Sequence, residues 1–143
     1  PYGACVDHFQ HWVYEHPEAS PKERKEKWLE LESIYLPNRD YADMRFPKSG
    51  GIWQGQLHIY QMPFYYIDYT LAQTCAFQFW IRNQTDKTTA WRDYLRLCKE
   101  GGSQPFTGLV DIANLELPFN DGCLESVVNY VSNWLDNVDA GSL

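Results

Sequence analysis

The sequence predicts an all-α fold, and three observations support this. Apolar residues recur at helical spacing near the C-terminus, where Leu124, Val127, Val128 and Val131 share one helix face. The run SPKE at residues 20–23 combines a capping residue, a first-turn proline and a capping-box glutamate. No segment alternates apolar and polar residues as a half-buried strand would. We therefore predict one all-α domain covering residues 1–143.

Six helices are expected from periodicity and end signals. They span about residues 4–15, residue 21 to the residue before Pro37, residues 63–81, 86–99 and 104–113, and a last helix from about Leu124 to Val138. Asn120 or Asp121 would cap the last helix, because Asn and Asp are favoured there. The helix at 63–81 is apolar nearly all round, which is typical of a central, buried helix.

The helix predicted at residues 86–99 ends before a glycine turn. Its inward face is expected to carry Trp91, Tyr94 or Leu95, and Cys98. Gly101 follows directly and suits the C-cap position. This pattern predicts that the helix packs through its aromatic residues.

Residues 38–57 lack a helical period and contain Pro47, Gly50, Gly51 and Gly55. We predict a long ordered loop. Loops of this length inside compact domains are usually functional.

Charge and cysteine content exclude several classes of function. The net charge of −7 argues against nucleic acid and anionic membrane partners, which favour clustered Lys and Arg. No apolar run is long enough to span a bilayer. The four cysteines are far apart in the sequence, which predicts buried free thiols in a reducing cytoplasm rather than disulfides.

Two histidines near the N-terminus raise the possibility of a metal site. His8 and His11 are three residues apart, and Glu15 follows one turn later, so one helix face presents plausible zinc ligand types. Structural zinc requires four ligands, and the carboxylates near His11 also fit an ordinary charged surface. Metal binding here is the minor alternative.

A second group of candidate residues surrounds His58. This histidine precedes the tyrosine-rich run FYYIDY at residues 64–69, in which Tyr66 and Tyr69 are three apart and Tyr65 and Tyr69 four apart. Phenol hydroxyls and an imidazole at a helix start could stabilise the oxyanion that forms when a peptide carbonyl is attacked. The same spacing also fits core aromatics whose hydroxyls bond to the backbone.

Several segments together carry a resemblance to one known family: VDHFQHWVYEHP at residues 6–17, YLP at 35–37, QLHI at 56–59, FYYIDYTLAQ at 64–73, and YL at 94–95 followed by GGS at 101–103. They resemble oligoendopeptidase F-like peptidases of the thimet oligopeptidase family. The similarity covers essentially the whole chain, and it is most specific from His58 to Gln73.

The resemblance implies the C-terminal, all-helical part of a zinc metalloendopeptidase that hydrolyses short peptides. In that family an HExxH helix and a Glu on the following helix hold zinc. This sequence has no HExxH run, so the zinc ligands and general base are expected in a missing N-terminal part of the peptidase. The segment alone is expected to be inactive.

The resemblance also implies roles for individual residues. His58 matches a histidine that contacts the peptide near the scissile bond, and Tyr69 with Tyr66 or Tyr65 matches tyrosines that hydrogen-bond the carbonyl oxygen. The remaining predicted substrate-binding positions are Gly50, Gly51 and Gly55, in a loop that adapts to peptides, and Gln56. The alternative function is a non-catalytic helical module that binds a peptide or partner through its aromatic surface.

Overall fold

The computed structural model describes residues 1–139 and 141, and in this part of the chain it contains α-helices and no strand. The all-α prediction is confirmed. The helices are α1 (Tyr2–Glu15), α2 (Pro21–Tyr35), α3 (Arg45–Lys48), α4 (Leu57–Gln61), α5 (Ile67–Thr85), α6 (Lys87–Glu100), α7 (Phe106–Ile112) and α8 (Cys123–Asn137), with a 3-10 turn at Ile52–Gly55.

Local signals set the ends of several helices, and those of Ser20 with Glu23 and of Gly101 were expected from the sequence. The Glu23 N–H donates to Ser20 Oγ at 3.3 Å, and the Ser20 N–H donates to Glu23 Oε2 at 2.8 Å, which completes the capping box of α2. Asp86 caps α6 by accepting from the Thr89 N–H at 3.1 Å. Gly101 follows α6 at φ 55°, a conformation that residues with a Cβ rarely adopt.

The chain forms two compact units, one covering Pro1–Thr70 and the other beginning at Leu71. The boundary falls within the helical run of α5. The expectation of a single domain stays a prediction.

The core of the first unit lies between α1 and α2. Phe9 and Trp28 are fully buried, and their rings meet edge to face with centroids 5.3 Å apart. Trp53 from the 3-10 turn packs on Phe9 at 5.0 Å, and Cys5, Val6 and Leu31 complete the buried cluster. Burial of each large side chain contributes about 1.5–3 kcal/mol, so this cluster anchors the segment that leads into α4.

The segment predicted as a loop at residues 38–57 is ordered but partly helical. It contains α3 and the 3-10 turn, and α4 begins at its last residue, so the prediction of a segment without helix is wrong. Such short helices depend on tertiary contacts rather than on propensity, and periodicity therefore misses them. One contact is the buried Glu32 carboxylate, which accepts hydrogen bonds from Tyr41 and, at 3.5 Å, from Arg39.

The second unit has an ion cluster at its centre. Asp93 of α6 is fully buried, and its carboxylate accepts from Arg82, from Asn114 Nδ2 at 3.0 Å and from Arg96 at 3.3 Å. Arg82 also donates to the Ala113 carbonyl at 2.9 Å. The cluster thus ties α5 and α6 to the residues that follow α7.

This cluster explains why the predicted inward face of α6 is wrong. The buried residues of α6 are Ala90 and Asp93, whereas Trp91 is 58% exposed and Tyr94, Leu95 and Cys98 are also exposed. Because Asp93 with its partners takes the inward position, the aromatic residues beside it face solvent in the described structure.

Helix α5 also differs from its prediction. It begins at Ile67 rather than at residue 63, since residues 62–66 form a turn, and it continues to Thr85. Thr74 is the only described residue of this helix that is buried, so the expectation of a buried central helix is wrong for this chain.

Two smaller predictions also fail. Gly122, at φ 84°, is the N-cap of α8 in place of Asn120 or Asp121, because the left-handed turn there places no side-chain oxygen on the helix end. All four thiols are free, but Cys98 is exposed and Cys75 only partly buried, so the expectation of burial holds for Cys5 and Cys123.

Candidate functional site

The predicted His58 and tyrosine residues form one cluster in the first unit. The imidazole of His58 on α4 meets the rings of Tyr66 and Tyr69 edge to face, with centroids 5.0 and 5.7 Å away. The Tyr65 ring is nearly parallel to the imidazole, at 6.1 Å and 6°. The Tyr69 hydroxyl lies 3.4 Å from His58 Nε2. The structure therefore brings these four residues together, while their roles in catalysis stay a prediction.

The cluster is accessible from outside. Tyr69 is 48% exposed and Tyr65 is 37% exposed, whereas His58 and Tyr66 are half-buried. A hydrogen bond with Tyr65, followed by local burial, raises the pKa of Tyr69. The Tyr69 hydroxyl therefore keeps its proton at neutral pH and can donate it to an acceptor on a ligand.

A buried glutamine fixes the turn between α4 and α5. Gln10 of α1 is 2% exposed, and its Oε1 accepts from the Phe64 N–H at 3.1 Å while its Nε2 donates to the Ile59 carbonyl at 3.2 Å. Phe64 has a φ of 60°, which is rare for a residue with a large side chain. Gln10 therefore satisfies both ends of a strained turn, and this turn sets where the tyrosines begin.

Sequence reasoning missed Gln10, although a signal for it exists. The residue is four positions after Val6 and three before Val13, so it lies on the apolar face of α1. A polar side chain on a buried face needs hydrogen-bond partners. That requirement predicts a specific contact, although not its location.

Gln56 lies beside the cluster but is already engaged on both sides. Its Oε1 accepts from the Tyr2 hydroxyl at 3.0 Å, and its Nε2 is 2.7 Å from His58 Nδ1. The predicted contact of Gln56 with substrate stays a prediction. In the described structure its amide bonds to protein side chains.

The three candidate glycines differ in their surroundings. Gly50 is buried at φ 75°, and a Cβ there would overlap the Lys25 carbonyl of α2. Gly51 is also buried, and a Cβ there would come within 2.6 Å of the Phe46 ring. Gly55 is exposed and has open space around it. Gly50 and Gly51 thus have a packing role, and Gly55 alone has the freedom expected of an adaptable loop.

The histidines of α1 are held by other partners. His8 Nδ1 lies 3.1 Å from the Tyr35 hydroxyl, and His11 Nε2 lies 3.5 Å from Asp7 Oδ2. Within residues 1–139 and 141, no group of three or more His, Cys, Asp or Glu side chains is placed to hold a metal ion. The described residues therefore do not fit a zinc site, including the candidate built on Glu15.

None of the described helices is long and apolar enough to cross a membrane.

The chain is similar to a known peptidase family and to solved structures of peptidases. The family model of peptidase family M3 matches residues 3–129. A structure assigned as an oligoendopeptidase F is 59% identical with a TM-score of 0.91, and the match covers 100% of this chain and 25% of that one. A search of curated proteins found no match.

Two further solved structures are similar. A PZ peptidase A with an inhibitor is 56% identical with a TM-score of 0.90, over 97% of this chain and 25% of that chain. A protein assigned as an oligoendopeptidase F from Bacillus anthracis str. Ames is 46% identical with a TM-score of 0.76, over 100% of this chain and 22% of that chain. The chain thus spans about a quarter of the length of these relatives. On the match over residues 3–129, the chain belongs to peptidase family M3.

Proposed function

We propose that this chain forms the wall of a zinc-dependent oligopeptidase active site that binds the peptide substrate and its transition state. The observation that supports this most strongly is the convergence of His58, Tyr66 and Tyr69 on one accessible surface, with Tyr69 Oη 3.4 Å from His58 Nε2. The family match supports a peptidase, and the cluster supplies the donors that peptide hydrolysis needs.

The tyrosine hydroxyls are the donors for the reacting carbonyl. When a nucleophile attacks a peptide carbonyl, its oxygen gains negative charge, and fixed donors aimed at that position lower the barrier. Tyr69 carries such a donor, since its hydroxyl is exposed and stays protonated. Tyr66 supplies a second one, its ring lying 5.2 Å from that of Tyr69.

His58 and Tyr65 complete the wall. His58 contacts the peptide beside the scissile bond and bonds to the Tyr69 hydroxyl through Nε2. Tyr65 hydrogen-bonds Tyr69, and their ring centroids are 5.4 Å apart, so Tyr65 orients the Tyr69 hydroxyl. In this proposal Tyr65 also contacts the substrate. Gly55, which has open space around it, lets the adjoining segment adapt to different peptides.

Zinc and the general base would come from the rest of the peptidase. The described residues do not fit a metal site, so in this proposal the chain binds and orients the peptide and takes no part in holding metal. Its partners are short peptides and the missing N-terminal part of the enzyme. A cytoplasmic location, inferred from the cysteines, stays a prediction.

Two measurements on the pure chain test whether it binds the peptide without hydrolysing it. A short peptide, chosen as a substrate of the relatives, is titrated into ¹⁵N-labelled chain, and hydrolysis is followed by chromatography with and without added zinc. We expect no hydrolysis of the peptide, and we expect peptide-induced changes in NMR chemical shift only at residues around His58 and Tyr69. Chelator-sensitive hydrolysis by the chain, or shifts confined to the second unit, would contradict the proposal.

A partner-binding module is the second candidate, and an apolar groove in the second unit favours it. The groove has a volume of about 310 Å³ and is lined by apolar side chains of α5, α6 and α7, among them Phe79, Leu97 and Leu109. Exposed apolar surface of this kind often marks a binding site. Peptide-induced shifts at these residues alone would favour the module.

A further inference from the structure

The side chain of Gln56 joins α1 to His58. Its Oε1 accepts a hydrogen bond from the Tyr2 hydroxyl at 3.0 Å, and its Nε2 lies 2.7 Å from His58 Nδ1. Both ends of the amide are therefore committed to protein groups. A side chain held in this way orients its neighbours.

The Tyr2 hydroxyl determines which way the amide faces. Tyr2 is half-buried, and burial raises the pKa of its phenol, so the hydroxyl stays protonated and donates. A phenol is a better donor than acceptor, and the oxygen is the only acceptor of the glutamine side chain. Gln56 Oε1 therefore faces Tyr2, and the amide nitrogen, which can only donate, faces His58.

A donor facing Nδ1 fixes the proton of the imidazole. In neutral histidine one ring nitrogen carries hydrogen and the other accepts. Because Gln56 Nε2 donates to Nδ1, that nitrogen must present its lone pair, and the proton must be on Nε2. The protonated nitrogen is the one that lies 3.4 Å from the Tyr69 hydroxyl.

We propose that Gln56 is a positioning residue that holds His58 as the neutral Nε2–H tautomer, and that Tyr2 anchors it. His58 then acts as a donor on the open side of the cluster, toward the Tyr69 oxygen or a peptide carbonyl. Where Tyr69 accepts from Nε2–H, its own proton is directed away from the imidazole, toward the Tyr65 hydroxyl or, in its place, an acceptor on a ligand. This last step rests on the proposed function, whereas the tautomer itself does not.

The anchor is well fixed in the core. The Tyr2 ring meets the buried Trp28 edge to face at 6.2 Å and Tyr66 at 5.8 Å. Gln56 itself follows the 3-10 turn, with its N–H bonded to the Trp53 carbonyl at 3.0 Å. The same contacts that place Tyr66 thus also place the group that sets the tautomer of His58.

The tautomer can be measured without activity. In chain labelled with ¹⁵N, long-range proton–nitrogen spectra show which nitrogen of His58 is protonated, and a nitrogen–nitrogen coupling across the hydrogen bond identifies the Gln56 donor. We expect protonated Nε2 and a coupling between Gln56 Nε2 and His58 Nδ1. A protonated Nδ1, or no such coupling with both side chains assigned, would overturn the proposal.

Matched variants separate positioning from a general structural effect. Gln56→Glu replaces the donor with an acceptor of the same shape, so a proton should appear on Nδ1. Tyr2→Phe keeps the ring but frees Oε1, so the coupling should weaken or disappear. Tyr14→Phe removes a hydroxyl from an exposed residue on the same helix and should leave both readouts unchanged. An unaltered His58 spectrum in Gln56→Glu would contradict the proposal.

Kinetics of the proposed full-length peptidase test whether the tautomer of His58 matters for catalysis. Gln56→Glu should lower kcat by about 10–100-fold, by analogy with the loss of a partner that orients a metal-ligating histidine, with a smaller change in KM. If the tautomer is as expected but kcat is unchanged, the proposed role of the cluster in catalysis fails while the positioning stands. If the tautomer is wrong, the positioning fails whatever the kinetics.

Discussion

The Tyr69 hydroxyl lies 3.4 Å from His58 Nε2, although the two residues are 11 positions apart in the sequence. This proximity requires the chain to reverse direction between α4 and α5. The reversal depends on Phe64 at φ 60° and on the buried amide of Gln10, which bonds to both sides of the turn. A residue remote from the cluster in sequence therefore determines its geometry.

Replacement of Gln10 should therefore destabilise the first unit. Gln10→Ala leaves the Phe64 N–H and the Ile59 carbonyl without their partner, and each unsatisfied group costs about 1–3 kcal/mol. We expect a loss of about 2–6 kcal/mol in the free energy of unfolding. Urea unfolding followed by tryptophan fluorescence measures it.

The exposed Gln54 provides the matched control for this variant. Gln54→Ala should change stability by less than about 0.5 kcal/mol. Equal stabilities of Gln10→Ala and Gln54→Ala would show that the turn does not depend on the Gln10 amide.

The glycines of the connecting segment should respond in opposite ways. Gly50→Ala places a Cβ against the Lys25 carbonyl at φ 75°, so it should cost about 2 kcal/mol or more. Gly55→Ala meets no atom within 4 Å and should change stability by less than about 0.5 kcal/mol. Thermal unfolding of the two variants compares them directly.

The glycine pair also tests the loop's proposed adaptability. If Gly55 lets the segment adapt to substrate, Gly55→Ala should raise KM in the peptidase without loss of stability. A Gly50→Ala variant as stable as the parent chain would contradict the packing role.

The buried Asp93 should make the second unit sensitive to acid. Hydrogen bonds from Asn114 and Arg82 lower the pKa of Asp93 to about 2, from an ordinary value of about 3.9. A carboxyl with a lowered folded pKa adds stability that is present above its unfolded pKa and is lost as pH falls through its folded pKa. Stability should therefore decline between about pH 4 and pH 2.

Substitution isolates this contribution. Asp93→Asn should lower the melting temperature at pH 7 by about 5 °C or more, since the buried Arg82 contact loses its charge partner, and should flatten the decline between pH 4 and pH 2. Asp111→Asn, at an exposed position on α7, should leave both unchanged. If the stability of the Asp93→Asn chain depended on pH as the parent's does, Asp93 would not be the cause of the decline.

Much of the helical framework follows from local sequence signals. The capping box at Ser20, the Asp86 cap and Gly101 each define a helix end through a contact within a few residues, so they can be read from the sequence. The i, i+3 spacing of Tyr66 and Tyr69 likewise predicts neighbouring rings, and their centroids are 5.2 Å apart although Tyr66 precedes the first residue of α5.

The features that were missed depend on distant contacts. Helix α4 has five residues and is stable only through its packing, and the positive φ of Phe64 is stabilised by Gln10, more than 50 positions away in the sequence. The sequence predicts an inward face of α6 built from aromatic residues, because hydrophobicity usually marks burial. In this chain Asp93 takes that position, because Arg82 neutralises its charge and Asn114 donates a hydrogen bond to it.

The kinetics of Tyr69→Phe in the full-length peptidase that we propose test the active-site wall most directly. The variant keeps the ring and removes only the hydroxyl, so substrate binding should change little. Loss of one oxyanion donor should lower kcat by about 10²–10³-fold with KM within about threefold. Tyr14→Phe, the exposed control, should match the parent enzyme. A Tyr69→Phe enzyme with unchanged kcat would contradict the role of this cluster in transition-state binding.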